Sequence, residues 1–201
     1  MTALWIKICG MTTAAAVEAA LAAGVDAIGF VFAASPRRVT VSQANELAAP
    51  ARGKLRCIAV TRQPDPAVVA TLLSDFMPDV LQTDHEDLAH LTLPDSLEVL
   101  PVLRAGSILP ASLPPRAVFE GPTSGSGQVA DWRQAADVAE RTQVILAGGL
   151  SAANIRAAIK AVRPFGVDVS SGVEDAPGVK NAARISSFVA AARAAAAEIV
   201  R

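Results

Sequence analysis

Residues 4–32 read "LWIKICGMTTAAAVEAALAAGVDAIGFVF", and this stretch decides the fold. Its two ends are short apolar runs, "LWIKIC" and "DAIGFVF", while residues 13–23 between them are alanine-rich and of helical period. A strand, a helix and a second strand in that order form one crossover unit of a parallel sheet. The first strand also contains an oddity. Side chains alternate between faces along a strand, so Ile6 and Ile8 share one face and Lys7 and Cys9 the other. A lysine turned toward an interior costs several kcal/mol unless it meets a partner.

The same alternation runs along the chain. "LRCIAV", "DVLQ", "LEVLPVL", "RAVFE", "QVILAG" and "GVDVSS" bring the strand candidates to eight, with helices expected at 42–50, 65–75, 133–140, 151–162 and 181–199. Eight strands in 201 residues fit a single (β/α)8 TIM barrel over residues 1–201 rather than an open doubly wound sheet, since no strand reads as a polar edge. The helix after the fourth strand, near "EDLAHL", looks short, and "AGSILPASLPP" predicts a loop in place of the fifth helix.

Composition narrows the function. The chain is 52% hydrophobic and 18% charged with a formal net charge of −1, which provides no electrostatic footprint for nucleic acid or an anionic membrane. Cys9 and Cys57 both lie in apolar strands, which suits reduced thiols and a cytoplasmic setting. There is no signal-like start and no apolar run of membrane-spanning length. Cys57 reads as core.

In a barrel of this kind the site lies where the strands end. Cys9-Gly10, "AASPRR" after Phe32, Gln82 with Asp84 and His85 behind it, Glu120 before "GPTSGSG", Gly148-Gly149 and Ser170-Ser171-Gly172 all fall there. The last two groups follow the seventh and eighth strands, where barrels commonly bind phosphate on glycine backbone N–H groups and a helix N-terminus. Ser151 is expected to cap the helix "AANIRAAIKAV". The partner implied is a small phosphorylated molecule, and no metal-ligand set stands out among the strand ends.

These motifs, "KICGMT", "GFVFAASPRRV", "GSGQVADW" and "AGGLSAANI…RPFGVDVSSGVEDAPGVKN", occur in the order found in phosphoribosylanthranilate isomerases, and the chain resembles that family over nearly its full length. The resemblance implies a cofactor-free Amadori rearrangement in tryptophan biosynthesis, with a monomer or homodimer as the assembly. It implies that Cys9 is the general base, Arg37 holds the anthranilate carboxylate, and Gly148, Gly149, Ser170, Ser171 and Gly172 hold the phosphate. Lys7, Asp168 and Gln82 would support the site. Asp168 should point inward from the eighth strand beside Lys7, which answers the oddity of the opening stretch with an interior ion pair.

The acid is where the chain departs from the pattern. The family usually has aspartate at the end of the sixth strand, whereas this chain has Glu120. The extra methylene displaces the carboxyl by about 1 Å, a misplacement that costs on the order of 100-fold in rate if uncorrected. Glu120 is the expected acid and Asp131 the alternative, just as Arg38 is the alternative to Arg37. His85 and His90 match no motif and are expected at the surface. Two other readings stand beside the isomerase: a phosphate-binding barrel of the ribulose-phosphate epimerase kind, which would want metal ligands, and a barrel that binds phosphate without catalysis.

Overall fold

The computed structural model describes residues 3–122 and 130–199. Eight parallel strands close on themselves in chain order: β1 (Trp5–Cys9), β2 (Ala27–Val31), β3 (Arg56–Val60), β4 (Val80–Asp84), β5 (Glu98–Arg104), β6 (Arg116–Glu120), β7 (Gln143–Leu146) and β8 (Gly166–Val169). All eight correspond to the runs read from the sequence. Closure leaves no unpaired edge to cover.

Helices form the outer layer: α1 (Ala14–Ala23), α2 (Val41–Ala48), α3 (Pro66–Thr71), α4 (Trp132–Ala139), α5 (Ile155–Val162) and α6 (Ala182–Ile199). Local chemistry sets several of their starts. Thr40 and Gln43 form a reciprocal capping box at α2. Asp65 caps α3 directly before Pro66, whose fixed φ suits the first helical turn. The expected helix 65–75 is α3 plus one wide π turn at Leu72–Phe76. After β4 there is only a short 3-10 helix, His85–His90, and the chain between β5 and β6 has no helix, as "AGSILPASLPP" foretold.

Two details correct the sequence reading. The helix expected from residue 151 begins at Ile155, and Asn154 rather than Ser151 occupies the capping position. Instead, the Asn154 side chain accepts from Ser151 N at 2.8 Å and donates to Gly149 O at 2.8 Å, so it binds the loop rather than the helix. No strand was expected beyond β8. The structure has a small antiparallel hairpin there, β9 (Glu174–Ala176) and β10 (Val179–Lys180), turned by Pro177 and Gly178.

Alternation divides the strands into two faces. Ile6, Ile8, Ile28, Phe30, Cys57, Leu81, Phe119, Leu146 and Val167 face the helices in the large core. Ala27, Ile58, Val80, Leu100, Val102, Val118 and Ile145 fill the barrel interior. Lys7 is fully buried in that interior. The β1–β8 register sets it opposite Asp168, and its Nζ donates to Asp168 Oδ2 at 2.6 Å. The pair expected from strand alternation is formed.

Removing one partner of a buried pair leaves the other charge uncompensated, at a cost of about 3–5 kcal/mol, while replacing both with apolar groups is often close to neutral. Lys7→Met is therefore expected to lower stability by about that amount in urea unfolding, and Lys7→Met/Asp168→Leu to recover most of it. Wild-type stability for the single variant would refute the assignment of the pair as the barrel's interior charge balance.

Candidate active site

At the C-terminal end of the barrel is a cavity of about 340 Å³, a size suited to a small ligand. Its floor and walls come from the last inward position of each strand. Cys9, Val31, Val60, Gln82, Asp84, Arg104, Glu120, Ala147, Asp168 and Ser170 all line it. The polar members cluster here because the alternating interior face, apolar through the middle of the barrel apart from Lys7 and Asp168, turns polar toward the C-terminal strand ends. Two of the lining oxygens, Gln82 Oε1 and Asp168 Oδ1, are buried and accept no hydrogen bond from the protein.

Cys9 stands two residues beyond Lys7 on the same face. Burial pushes its thiol above the usual range, with Lys7 and Lys180 opposing and Asp168 adding to the rise. Lys7 itself is held charged: burial acts against the ammonium, but Asp168 and Cys9 outweigh it and raise its pKa. The floor is thus a thiol beside a fixed cation. Gly10 ends β1 with a φ of +81°, and a Cβ there would lie 2.6 Å from Arg37 Cδ. The glycine of "KICG" is what lets Arg37 cross the mouth.

Arg37 lines the cavity and is buried, whereas Arg38 is exposed and does not line it. Its guanidinium already has an internal partner. Nε and Nη2 donate to Glu174 Oε1 and Oε2 at 2.8 and 2.7 Å, using two of five N–H donors. Glu174 comes from β9, and it also accepts from Lys180 Nζ of β10 at 2.5 Å. Burial alone would push the Glu174 carboxyl up, but Arg37 and Lys180 outweigh it and hold it below the usual carboxylate range. Burial lowers the Lys180 pKa, against the pull of Glu174. Glu174 and Lys180 were not among the site residues expected from the sequence. The Pro-Gly turn signal between them, flanked by opposite charges, was the available clue.

The loops after β7 and β8 adjoin. Gly148 and Gly149 adopt φ of +92° and +62°, left-handed conformations that suit glycine, and both line the cavity with Ser170 and Ser171. The Ser170 hydroxyl donates to Cys9 O at 2.9 Å and accepts from Lys180 Nζ at 3.2 Å. Gly172 does not line the cavity. A Cβ there would lie 1.9 Å from Leu150 O, so this glycine allows the two loops to approach.

On the opposite wall Glu120 ends β6, and Arg104 Nη1 donates to its Oε1 at 2.5 Å. Asp84 was placed at this rim from the sequence but given no role, and Arg104 was not singled out, although Leu100, Val102 and Arg104 share one strand face by simple alternation. Asp131, the alternative acid, is an exposed helix cap: its Oδ1 accepts from Arg133 N and Gln134 N. It does not line the cavity. His90 is exposed, His85 half-buried, and neither lines the cavity. Cys57 is buried in β3 as expected. Most of the glycine-rich "GPTSGSG" loop lies outside the described residues.

Comparison with known proteins identifies the family and the fold. The family model of N-(5'-phosphoribosyl)anthranilate (PRA) isomerase matches residues 6–191. The N-(5'-phosphoribosyl)anthranilate isomerase of Mesorhizobium japonicum is 41% identical over 212 residues, spanning 96% of this chain and 97% of the relative. That of Nitrobacter hamburgensis is 38% identical over 211 residues, spanning 96% and 94%. Among solved structures, TrpF from Jonesia denitrificans superposes with a TM-score of 0.78 at 35% identity, covering 96% of this chain and 98% of its own. Phosphoribosyl anthranilate isomerase from Thermus thermophilus superposes at 0.82 with 26% identity, covering 98% and 100%.

The charge arrangement at the floor has a direct test. Because burial raises the Cys9 thiol and only the thiolate is nucleophilic, its alkylation by iodoacetamide, followed by mass spectrometry at Cys9, is expected to rise with pH later than an ordinary thiol. Lys7→Met removes an opposing cation, so the rise is expected to move to still higher pH. A shift to lower pH would contradict the assignment.

Proposed function

The chain belongs to the N-(5'-phosphoribosyl)anthranilate isomerase family, and we propose that it carries out that rearrangement with Cys9 as general base and Glu120 as general acid. The reaction turns N-(5'-phosphoribosyl)anthranilate into 1-(2-carboxyphenylamino)-1-deoxyribulose 5-phosphate, a step of tryptophan biosynthesis. No atom is gained or lost. A proton is delivered to the ring oxygen, the C1–O bond breaks, and the aniline nitrogen's lone pair forms the C=N bond of a Schiff base. Removal of the C2 proton then gives an enolamine, which tautomerises to the aminoketose.

Each step asks for a group that this cavity contains. Glu120 provides the carboxyl on one wall and Cys9 the thiol on the floor. The observation that carries the base assignment is the Lys7–Cys9–Asp168 arrangement, with Lys7 fully buried and its ammonium 2.6 Å from Asp168. A cation fixed beside a thiol favours the thiolate that a base must be, and Asp168 keeps that cation charged and in place. Without Lys7 the buried thiol would hold its proton more tightly still.

Binding follows from the same rim. The 5'-phosphate is assigned to the Gly148–Gly149 and Ser170–Ser171 loops, with Gly172 allowing their approach, because exposed backbone N–H groups suit a phosphate dianion. Arg37 is assigned to the anthranilate carboxylate. Glu174 holds two of its donors and leaves others for a second, substrate carboxylate. Gln82 Oε1 and Asp168 Oδ1, buried acceptors on the cavity wall, are assigned to the ribose hydroxyls, since an unmet buried acceptor is costly.

The experiment is the fluorescence decay of phosphoribosylanthranilate generated in situ. The folded wild-type protein is expected to abolish the signal, and Cys9→Ser and Glu120→Gln each to slow kcat by at least about 100-fold, the scale of lost acid–base catalysis. Wild-type kcat/KM should rise with pH as Cys9 ionises, since the thiolate is the active form, and Lys7→Met should move that limb upward. Unchanged decay in Glu120→Gln would remove the acid assignment, and unchanged decay in Cys9→Ser the base assignment.

A further inference from the structure

Glu120 does not hang free at the rim. It is tied to a clamp that runs across three strands. The β5–β6 register sets Arg104 directly opposite Glu120, and its Nη1 donates to Glu120 Oε1 at 2.5 Å. The other edge of the same guanidinium faces β4, where Nε and Nη2 donate to Asp84 Oδ2 and Oδ1 at 3.3 and 2.5 Å. The three side chains are only 11–15% exposed. Arg62, half-exposed after β3, lies beyond them with Nε 3.6 Å from Asp84 Oδ2.

We propose that Arg104, gripped by Asp84, is a positioning residue for the Glu120 carboxyl, and that this clamp is what allows a glutamate to act where the family resemblance leads one to expect aspartate. The proposal rests on the reading of Glu120 as general acid. Its physical content is the extra methylene. A glutamate has one more rotatable bond than an aspartate, and an untethered carboxyl at the rim would sample positions about 1 Å apart, enough to cost on the order of 100-fold in rate. A bidentate carboxylate–guanidinium pair fixes the guanidinium plane. With Asp84 holding one edge of that plane, the remaining N–H points along a set direction, and the carboxyl that accepts it is set too.

Loss of Arg104 is therefore expected to release the carboxyl from its position while leaving the rest of the rim in place.

The test measures kcat and KM for wild type, Arg104→Met, Arg104→Lys, Glu120→Gln and Arg104→Met/Glu120→Gln, on proteins shown to fold by circular dichroism. Arg104→Met is expected to lower kcat about 10–100-fold with little change in KM. In the Glu120→Gln background the Arg104→Met loss should vanish, since a residue acting through another has nothing left to act on. Arg104→Lys, which keeps the charge but not the fork, should fall between. It also serves if the methionine variant does not fold.

An equal Arg104→Met loss in both backgrounds, wild-type kcat in Arg104→Lys, or a raised KM with unchanged kcat would each overturn the proposal. Wild-type rate in Glu120→Gln would instead remove the acid reading on which it rests.

Discussion

The structure depends on one cross-strand contact at the seam of the barrel, the fully buried Lys7 ammonium against Asp168. A barrel closes only if its last strand pairs with its first, and here that pairing carries a charge on each side. Because side chains alternate along a strand, a slip of one residue between β1 and β8 would turn one partner out of the interior and leave the other unpaired. The ion pair therefore fixes the register of closure. Two residues further along each strand the same register brings Cys9 and Ser170 together, joined by the Ser170 hydroxyl and Cys9 O. The seam that completes the fold is also the floor of the site.

From that floor the charges are organised as two clamps. On the seam side, Glu174 is shared by Arg37 and Lys180, all three largely buried. Across the mouth, Arg104 is shared by Asp84 and Glu120. Each clamp puts one charge between two of the opposite sign, so each satisfies itself in a setting where an unpaired charge is expensive. Each also presents one group to the cavity at a fixed angle: a guanidinium on one side and a carboxyl on the other. The aminoaldose-to-aminoketose rearrangement asks for little more, since it moves protons and leaves composition unchanged. Pre-set donors and acceptors in a partly closed cavity supply orientation without reorganisation at the moment of reaction.

Most of the fold was legible because the signals were local. Period-two strands, alanine-rich helices and the proline-rich gap after β5 all speak within a few residues, and Lys7 in "WIKIC" announced an interior partner by alternation alone. The site was legible where a motif marked it, as at Cys9, Arg37 and the two glycine–serine loops. Arg104 was not, though "VLPVLR" places it on the interior face; a terminal arginine on an apolar strand reads equally well as a solvated end. Glu174 and Lys180 escaped because a hairpin of three and two residues has no propensity signal of its own and exists through its contacts with Arg37 and the loop at Ser170. Asp131 looked like a spare acid because a capping carboxylate and a catalytic one are the same residue type, and only the partners at Arg133 N and Gln134 N distinguish them.

The central claim is that a thiolate at Cys9 removes the proton from C2 of the ribosyl chain. It is tested most directly by single-turnover decay of substrate carrying deuterium at that carbon, with enzyme in excess so that product release does not contribute. The account predicts slower decay for the labelled substrate than for the unlabelled one in the wild-type protein, with the difference persisting as pH is raised and Cys9 ionises. Equal decay of the two substrates in single turnover, together with wild-type decay in Cys9→Ser, would contradict it, because neither the C2–H bond nor the thiol would then bear on the rate.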